Sequence, residues 1–198
     1  METSVARALV LDAIRAPGGV SGRPRVVGIS GHGGAGKTTF ARGVAGLLGQ
    51  APAQVVALDR LYAAGARDAE GLRDLHDWPV VRQLLSSLRT GPAGDRLRYP
   101  TRQWSGEEGV HEVPMPSVVL VEGIRLFWPD TVGLFDLTVW IDLDPVTAGA
   151  RAVARNREQG DDEAELDLWR TRWLPEGVAY ERAAEPARLA DLVLPAHV

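Results

Sequence analysis

Short apolar runs recur along the chain, and most end at a glycine or an acidic residue. Arg25 to Ser30, Gln54 to Leu58, Ser117 to Val121, Leu137 to Leu143 and Ala190 to Leu194 have this form. Continuous apolar runs of that length predict strands buried on both faces rather than half-exposed ones. Between them the spacing changes to three and four, which predicts amphipathic helices over about 3–16, Thr38 to Leu48, Asp77 to about Arg89, Pro145 to about Glu158 and Asp161 to Trp173. Pro17-Gly18-Gly19 and Thr90-Gly91-Pro92 read as stops. Asp77 reads as an N-cap with Pro79 in the first turn. Residues from about 95 to 115 hold short extended pieces broken by glycine and proline, a hairpin-like excursion over the core. Strands alternating with helices predict a five-stranded parallel sheet covered on both faces, a three-layer α/β/α sandwich.

In such a sheet ligands sit at the carboxyl ends of the strands. Ser30 and Gly31, Asp59, Glu122, and Asp142 or Asp144 all fall there. The first of these ends opens Gly31-His32-Gly33-Gly34-Ala35-Gly36-Lys37-Thr38, a complete G-x-x-x-x-G-K-[ST] phosphate loop between a predicted strand and a predicted helix. Its glycines allow successive N–H groups to point at phosphate oxygens, and the helix N-terminus adds its dipole. In that motif Lys37 reaches the β- and γ-phosphates, Thr38 ligates Mg²⁺, and Thr39 can reach the α-phosphate. His32 reads as a variable loop residue rather than a catalyst. Lys37 is also the only lysine, every other basic side chain being arginine. Lysine was kept where a compact ammonium differs chemically from a planar guanidinium.

Phosphoryl transfer needs an oriented nucleophile, a metal ion and cations about the migrating group. Asp59 is placed to accept a proton from a substrate hydroxyl or to orient it, and to stand near the metal. Glu122, after Val118-Val119-Leu120-Val121, suits a Mg²⁺ ligand, direct or through water. Either residue can instead cap a nearby loop. Arg151 and Arg155 share a helix face at i, i+4, with Arg157 nearby. They suggest a lid over about 150–163 that closes on phosphates, or a solvated basic face paired with Asp161-Asp162-Glu163. Trp169 and Trp173, also i, i+4, read as a core face.

Length and charge narrow the classes further. A chain of 198 residues suits one domain, with the phosphate loop at 31–38 and an acceptor-side insertion over about 60–115. A net charge of −4 argues against a broad nucleic-acid surface. The absence of cysteine excludes thiolate chemistry and fits a reducing compartment, so the expected location is cytoplasmic. The most apolar run, Val118 to Trp128, contains Glu122 and Arg125 and is too short to span a bilayer. A homo-oligomer is compatible with the composition.

The chain resembles the uridine kinase and phosphoribulokinase group of P-loop kinases from about residue 25 to 195. Val26 to Leu48 is similar to that group's opening strand, loop and helix. Leu58-Asp59-Arg60-Leu61-Tyr62 looks like its aspartate-x-aromatic/apolar-tyrosine segment, which implies Asp59 as catalytic base and Tyr62 in the nucleoside pocket. Asp77-Trp78-Pro79 resembles its aspartate-histidine-proline segment, implying ribose contact for Asp77. Val119-Leu120-Val121-Glu122-Gly123-Ile124 matches its glutamate-bearing strand end, Ala150 to Gly160 its arginine lid, and Pro186 to Leu194 the segment near the ATP base. Tyr99-Pro100-Thr101 and Arg102-Gln103-Trp104 stand where pyrimidine nucleoside kinases carry a tyrosine-aspartate-phenylalanine stretch and then a histidine. Tyr99, Arg102 and Trp104 are therefore acceptor-side candidates, although Tyr99 and Trp104 serve equally well as hairpin core. The resemblance implies a Mg²⁺·ATP-dependent kinase acting on a hydroxyl of a small metabolite, a nucleoside such as uridine or cytidine first. Sugar phosphates and pantothenate-like acids stay open. So does a mononucleotide kinase drawing on Arg98, Arg102 and Arg125, and an ATP-binding regulator. A chain whose one lysine sits in the phosphate loop has no asparagine-lysine-x-aspartate segment, which excludes the common guanine-specific GTPases.

Overall fold

The computed structural model describes residues 3–16, 22–49, 51–91 and 96–195. The predicted stop at Pro17-Gly18-Gly19 and Pro92 of the second stop lie outside them. The described elements are α1 (Thr3–Arg15), β1 (Arg25–Gly31), α2 (Lys37–Leu47), β2 (Ala53–Ala57), α3 (Trp78–Thr90), β3 (Arg96–Arg102), β4 (Glu108–Pro114), β5 (Val118–Gly123), β6 (Leu137–Asp142), α4 (Pro145–Gln159), α5 (Glu163–Leu168), α6 (Leu174–Ala184), α7 (Pro186–Leu189) and β7 (Leu192–Pro195).

Five strands form a parallel sheet in the order β2-β5-β1-β6-β7. The three central strands β5, β1 and β6 are the apolar runs, and nearly every residue in them is buried. Their side chains alternate between two cores. Val27 and Ile29 of β1, with Val118 and Leu120 of β5, face Val10, Ile14, Phe40 and Val44 of α1 and α2. Val26, Val119 and Val121 point the other way, toward Val81, Leu85 and Leu88 of α3 and Tyr180 and Ala184 of α6. A helix layer on each face completes the three-layer P-loop sandwich that the alternation predicts.

Polar clamps fix the ends. Asp136 accepts from Arg23 Nη1 and Nη2 at 2.7 and 2.6 Å and from the Val26 N–H at 2.8 Å, joining the start of β1 to β6. The edge strand β7 is pinned by Asp191, whose Oδ2 accepts from the Thr138 N–H at 2.8 Å and the Thr138 hydroxyl at 2.7 Å. Asp77 caps α3 as its sequence predicts, accepting from the Val80 N–H at 3.1 Å. Antiparallel β3 and β4 form a separate two-stranded sheet, the predicted hairpin.

One helix differs from its sequence prediction. The segment after Asp161 does not stop at Trp173. It begins as α5, capped by Asp162, widens to a π-helical turn over Trp169–Trp173, and runs on as α6. Pro175 lies in the first turn of α6 and has no N–H to give the carbonyl four residues back. A local π turn immediately before it absorbs that mismatch.

Candidate active site

The register of the sheet builds the site. Ile29 lies beside Glu122 and Ser30 beside Gly123, so the exit of β1 into the phosphate loop and the exit of β5 are neighbours. The Ser30 hydroxyl donates to the Gly123 carbonyl at 3.0 Å and locks the two exits together. The loop then needs backbone that L-residues avoid. Gly34 has φ +91°, and a Cβ there would stand 2.0 Å from the Ala148 carbonyl oxygen of α4. Gly36, also left-handed, passes the chain into α2.

Lys37 opens α2 and is 7% exposed. Its Nζ folds back onto the His32 carbonyl at 2.8 Å. Burial lowers its pKa, while Glu122 and Asp59 act in the opposite direction. One residue on, the Thr38 hydroxyl donates to Glu122 Oε1 at 2.9 Å. Burial pushes the Glu122 carboxyl above the usual carboxylate range, with Lys37 opposing. Asp59 follows β2 in a short 3-10 turn, exposed and facing the same cleft. Tyr62 stands against Asp59, and burial, reinforced by that carboxylate, raises its phenol.

These groups line one cleft of about 310 Å³, with Gly31, Gly33, Gly34, Gly36 and Thr39 of the loop on one side and Tyr62, Trp104 and Arg125 among the residues of the other. Trp104 packs on Tyr62 and Trp173 with ring centroids 5.3 Å from each. Arg155 of α4 lines the cleft, whereas Arg151 is not among the lining residues. Arg155 holds Asn156 Oδ1 at 2.8 Å, and Asn156 Nδ2 holds Asp161 at 2.7 Å. This ties the end of α4 to the acidic run by way of an amide.

Three acceptor-side candidates lie outside the lining. Asp77 spends its carboxylate on the α3 cap. Tyr99 is 4% exposed within the α3-side core, against His111. Arg102 pairs along the hairpin with Glu108 at 2.5 Å. Conversely, the cleft recruits residues that sequence analysis assigns to other roles or to none. Trp169 and Trp173 line it instead of a core face, because the π turn rotates them off an ordinary helical stripe. Trp169 lies so close over Gly33 that a Cβ there would meet its ring at 2.7 Å. His32 is buried at the edge of Trp140, with Nε2 3.3 Å from Glu181, and ties the loop to α6. Burial lowers its pKa, with Glu181 opposing.

Oxygen donors at Thr38 and Glu122, with Asp59 nearby, fit Mg²⁺, which keeps several waters and takes few protein ligands. Among the described residues there is no cluster of three or more His, Cys, Asp or Glu of the kind that cages a metal outright.

No family model matches the chain. Curated relatives do. "Uridine kinase-like protein 3" of Arabidopsis thaliana is 30% identical over 189 residues, covering 88% of this chain and 40% of that protein. The uridine kinase of Halobacterium salinarum is 25% identical over 181 residues, covering 85% and 79%. The chain is thus similar in sequence to uridine kinases and a uridine kinase-like protein. The chain spans well under half the length of the Arabidopsis relative. Solved structures agree on the fold. A candidate fructose transport system kinase from Silicibacter sp. TM1040 superposes with TM-score 0.76 at 23% identity, covering 98% of this chain and all of that one. A possible uridine kinase from Bacillus stearothermophilus gives 0.69 at 20%, with the same coverage.

Proposed function

We propose that the chain is a Mg²⁺·ATP-dependent phosphotransferase whose acceptor is a hydroxyl of a small metabolite. The observation that carries this reading is the pairing of Thr38 with Glu122 at 2.9 Å beside Lys37, with Asp59 facing the same cleft from a different strand end. That is the juxtaposition of donor and acceptor machinery that in-line phosphoryl transfer needs. The kinase names of the relatives support it.

In this reading the phosphate loop binds the donor phosphates through its backbone, and Lys37 leaves the His32 carbonyl to meet them. Thr38 and Glu122 would hold Mg²⁺, which when bound would supply charge neutralisation for the phosphates. Asp59 orients the acceptor hydroxyl and takes its proton. Tyr62 holds the Asp59 carboxylate in place from the acceptor side. Arg155 adds positive charge from α4, and Trp169 and Trp173 exclude water. Tyr62 and Trp104 give the cleft an aromatic wall, so the nucleosides of the relatives' names head the acceptor panel.

The test is ADP release from Mg²⁺·ATP against nucleosides, nucleoside monophosphates, sugar phosphates and pantothenate, with Lys37→Ala as blank. The reading expects an acceptor-dependent rate, reduced about 10²–10³-fold or more in the variant. A flat panel with intact ATP binding would turn the reading toward a nucleotide-binding regulator.

A further inference from the structure

The loop leaving β5 carries a residue that the phosphate-handling roles leave unused. Arg125 lines the acceptor side of the cleft, yet it is only 2% exposed. Its backbone is left-handed, φ +56°, a conformation that long L side chains avoid and that glycine or asparagine would adopt more easily. An arginine held there is positioned at a cost. Its charge is only partly answered. Arg125 pairs with Glu176 of α6, and Arg172 takes the same carboxylate at 3.1 Å, so two guanidiniums share one acid. Arg172 is satisfied separately by the carbonyls of Ala66 at 3.0 Å and Ala69 at 2.8 Å. Arg125 has one long contact to the Leu72 carbonyl at 3.5 Å, and its Nε has no partner.

A second group in the same place is also unanswered. His76 is 2% exposed, lies flat on Tyr62 with centroids 5.6 Å apart, and has no hydrogen-bond partner at either ring nitrogen. Burial first, and then the Arg125 charge, depress it to about 3, so at neutral pH it brings no charge of its own. Buried polar atoms without partners are rare in folded proteins and need a reason. Two other acids of the cleft are committed elsewhere. Glu165 answers Arg67 at 2.9 Å, and Asp59 faces Tyr62 and the phosphate loop.

We propose that Arg125 is the residue that sets acceptor specificity, by binding an anionic group, carboxylate or phosphate, on the compound whose hydroxyl is phosphorylated. The inference rests on the kinase reading and narrows its acceptor. A charged fork held rigid by a shared acid suits a planar or tetrahedral oxyanion, and an acceptor without that group leaves the cation buried and under-paired. Such a site rejects the uncharged analogue strongly. A neutral nucleoside is then the poorer acceptor, in keeping with the lack, over Tyr99 to Trp104, of the aspartate and histidine that the pyrimidine-type hairpin pattern carries.

The experiment compares acceptors that differ only in the anion: D-glycerate with glycerol, pantothenate with pantothenol, ribose 5-phosphate with ribose. The anionic member of at least one pair is expected to show the higher kcat/KM, and whether a carboxylate or the phosphate pair responds tells the two sources apart. In Arg125→Met the KM for that acceptor rises about 30-fold or more while the KM for ATP is unchanged. Glu176 keeps Arg172 in this variant, and Arg125→Lys, which retains the charge, recovers part of the loss. A purely structural clamp would instead lower the melting temperature and penalise both members of a pair alike. Preference for the neutral members, or an anionic preference that survives in Arg125→Met, overturns the proposal and leaves the kinase reading standing. If nothing raises ADP release, the kinase reading fails, and anion recognition is decided separately. The same compounds are titrated calorimetrically into protein saturated with a non-hydrolysable ATP analogue. Binding of an anionic member that is lost in Arg125→Met sustains the proposal, and no binding by any of them overturns it.

Discussion

Asp59 and Glu122 are both strand-end carboxylates, yet their surroundings assign them different work. Asp59 is exposed in the cleft with Tyr62 against it, whereas Glu122 is 3% exposed and hydrogen-bonded by Thr38. Asp59→Asn is expected to lower turnover by about 10²–10⁴-fold with little change in ATP binding, measured as kcat against nucleotide affinity. Comparable turnover would reduce Asp59 to a loop cap. As the proposed Mg²⁺ ligand Glu122 would act only when ionised, and burial raises its pKa. The Mg²⁺ concentration needed for half-maximal rate should therefore climb as pH falls, beginning above the ordinary carboxylate range. Glu122→Gln should raise that requirement at every pH and flatten its pH dependence. A wild-type-like titration would argue against metal contact. These two residues were legible in the sequence because apolar strands point at them. Arg125 was visible only as a spare cation, since its pairing with Glu176 joins residues 51 positions apart.

The phosphate loop is one element whose shape is set by another. Gly34 must be left-handed, and it also passes under the first turns of α4, where the Ala148 carbonyl leaves no room for a methyl group. Gly34→Ala meets both obstacles. It is expected to cost more than the roughly 1 kcal/mol of a compatible glycine substitution, and to weaken nucleotide binding as the loop and α4 shift apart. Thermal melts with and without Mg²⁺·ATP check this, and a variant with unchanged melting and binding would show that the loop tolerates another path. Periodicity located α3, its Asp77 cap and the hairpin to within a few residues. It failed over Trp169–Trp173, because i, i+4 spacing marks a single face only while the helix keeps 3.6 residues per turn. The π turn changes that count and delivers the two indoles to the cleft.

Across the whole molecule, the clamp of Arg23 and Val26 on Asp136 joins the entrance of the central strand to its neighbour β6. Burial alone would raise the Asp136 carboxyl, but Arg23 and the Val26 N–H outweigh it and hold the group below its ordinary value. A depressed acid stabilises the fold above the unfolded-state pKa and loses that contribution as pH falls through its folded value. Asp136→Asn should therefore destabilise the protein at neutral pH by about 1.5–3 kcal/mol, the range for charge-assisted hydrogen bonds, and the difference should shrink in acid. Urea melts at both pH values check it, and a pH-independent difference would indicate lost packing instead. The sheet itself was legible because parallel strands are apolar throughout. The acceptor side was not, because the placing of Arg67 and its neighbours depends on contacts with α5 and the π turn that lie far away in sequence.

Lys37 carries the sole side-chain amine of the chain, and that amine is turned inward onto the His32 carbonyl. To reagents that acylate or reductively alkylate amines, the surface is therefore almost silent. Among side chains the exception is the point where nucleotide phosphates would lie. Modification at that single ε-amine becomes a chemical clock for the opening of the phosphate loop, and protection by nucleotide a direct measure of its occupancy, with no background from other side chains.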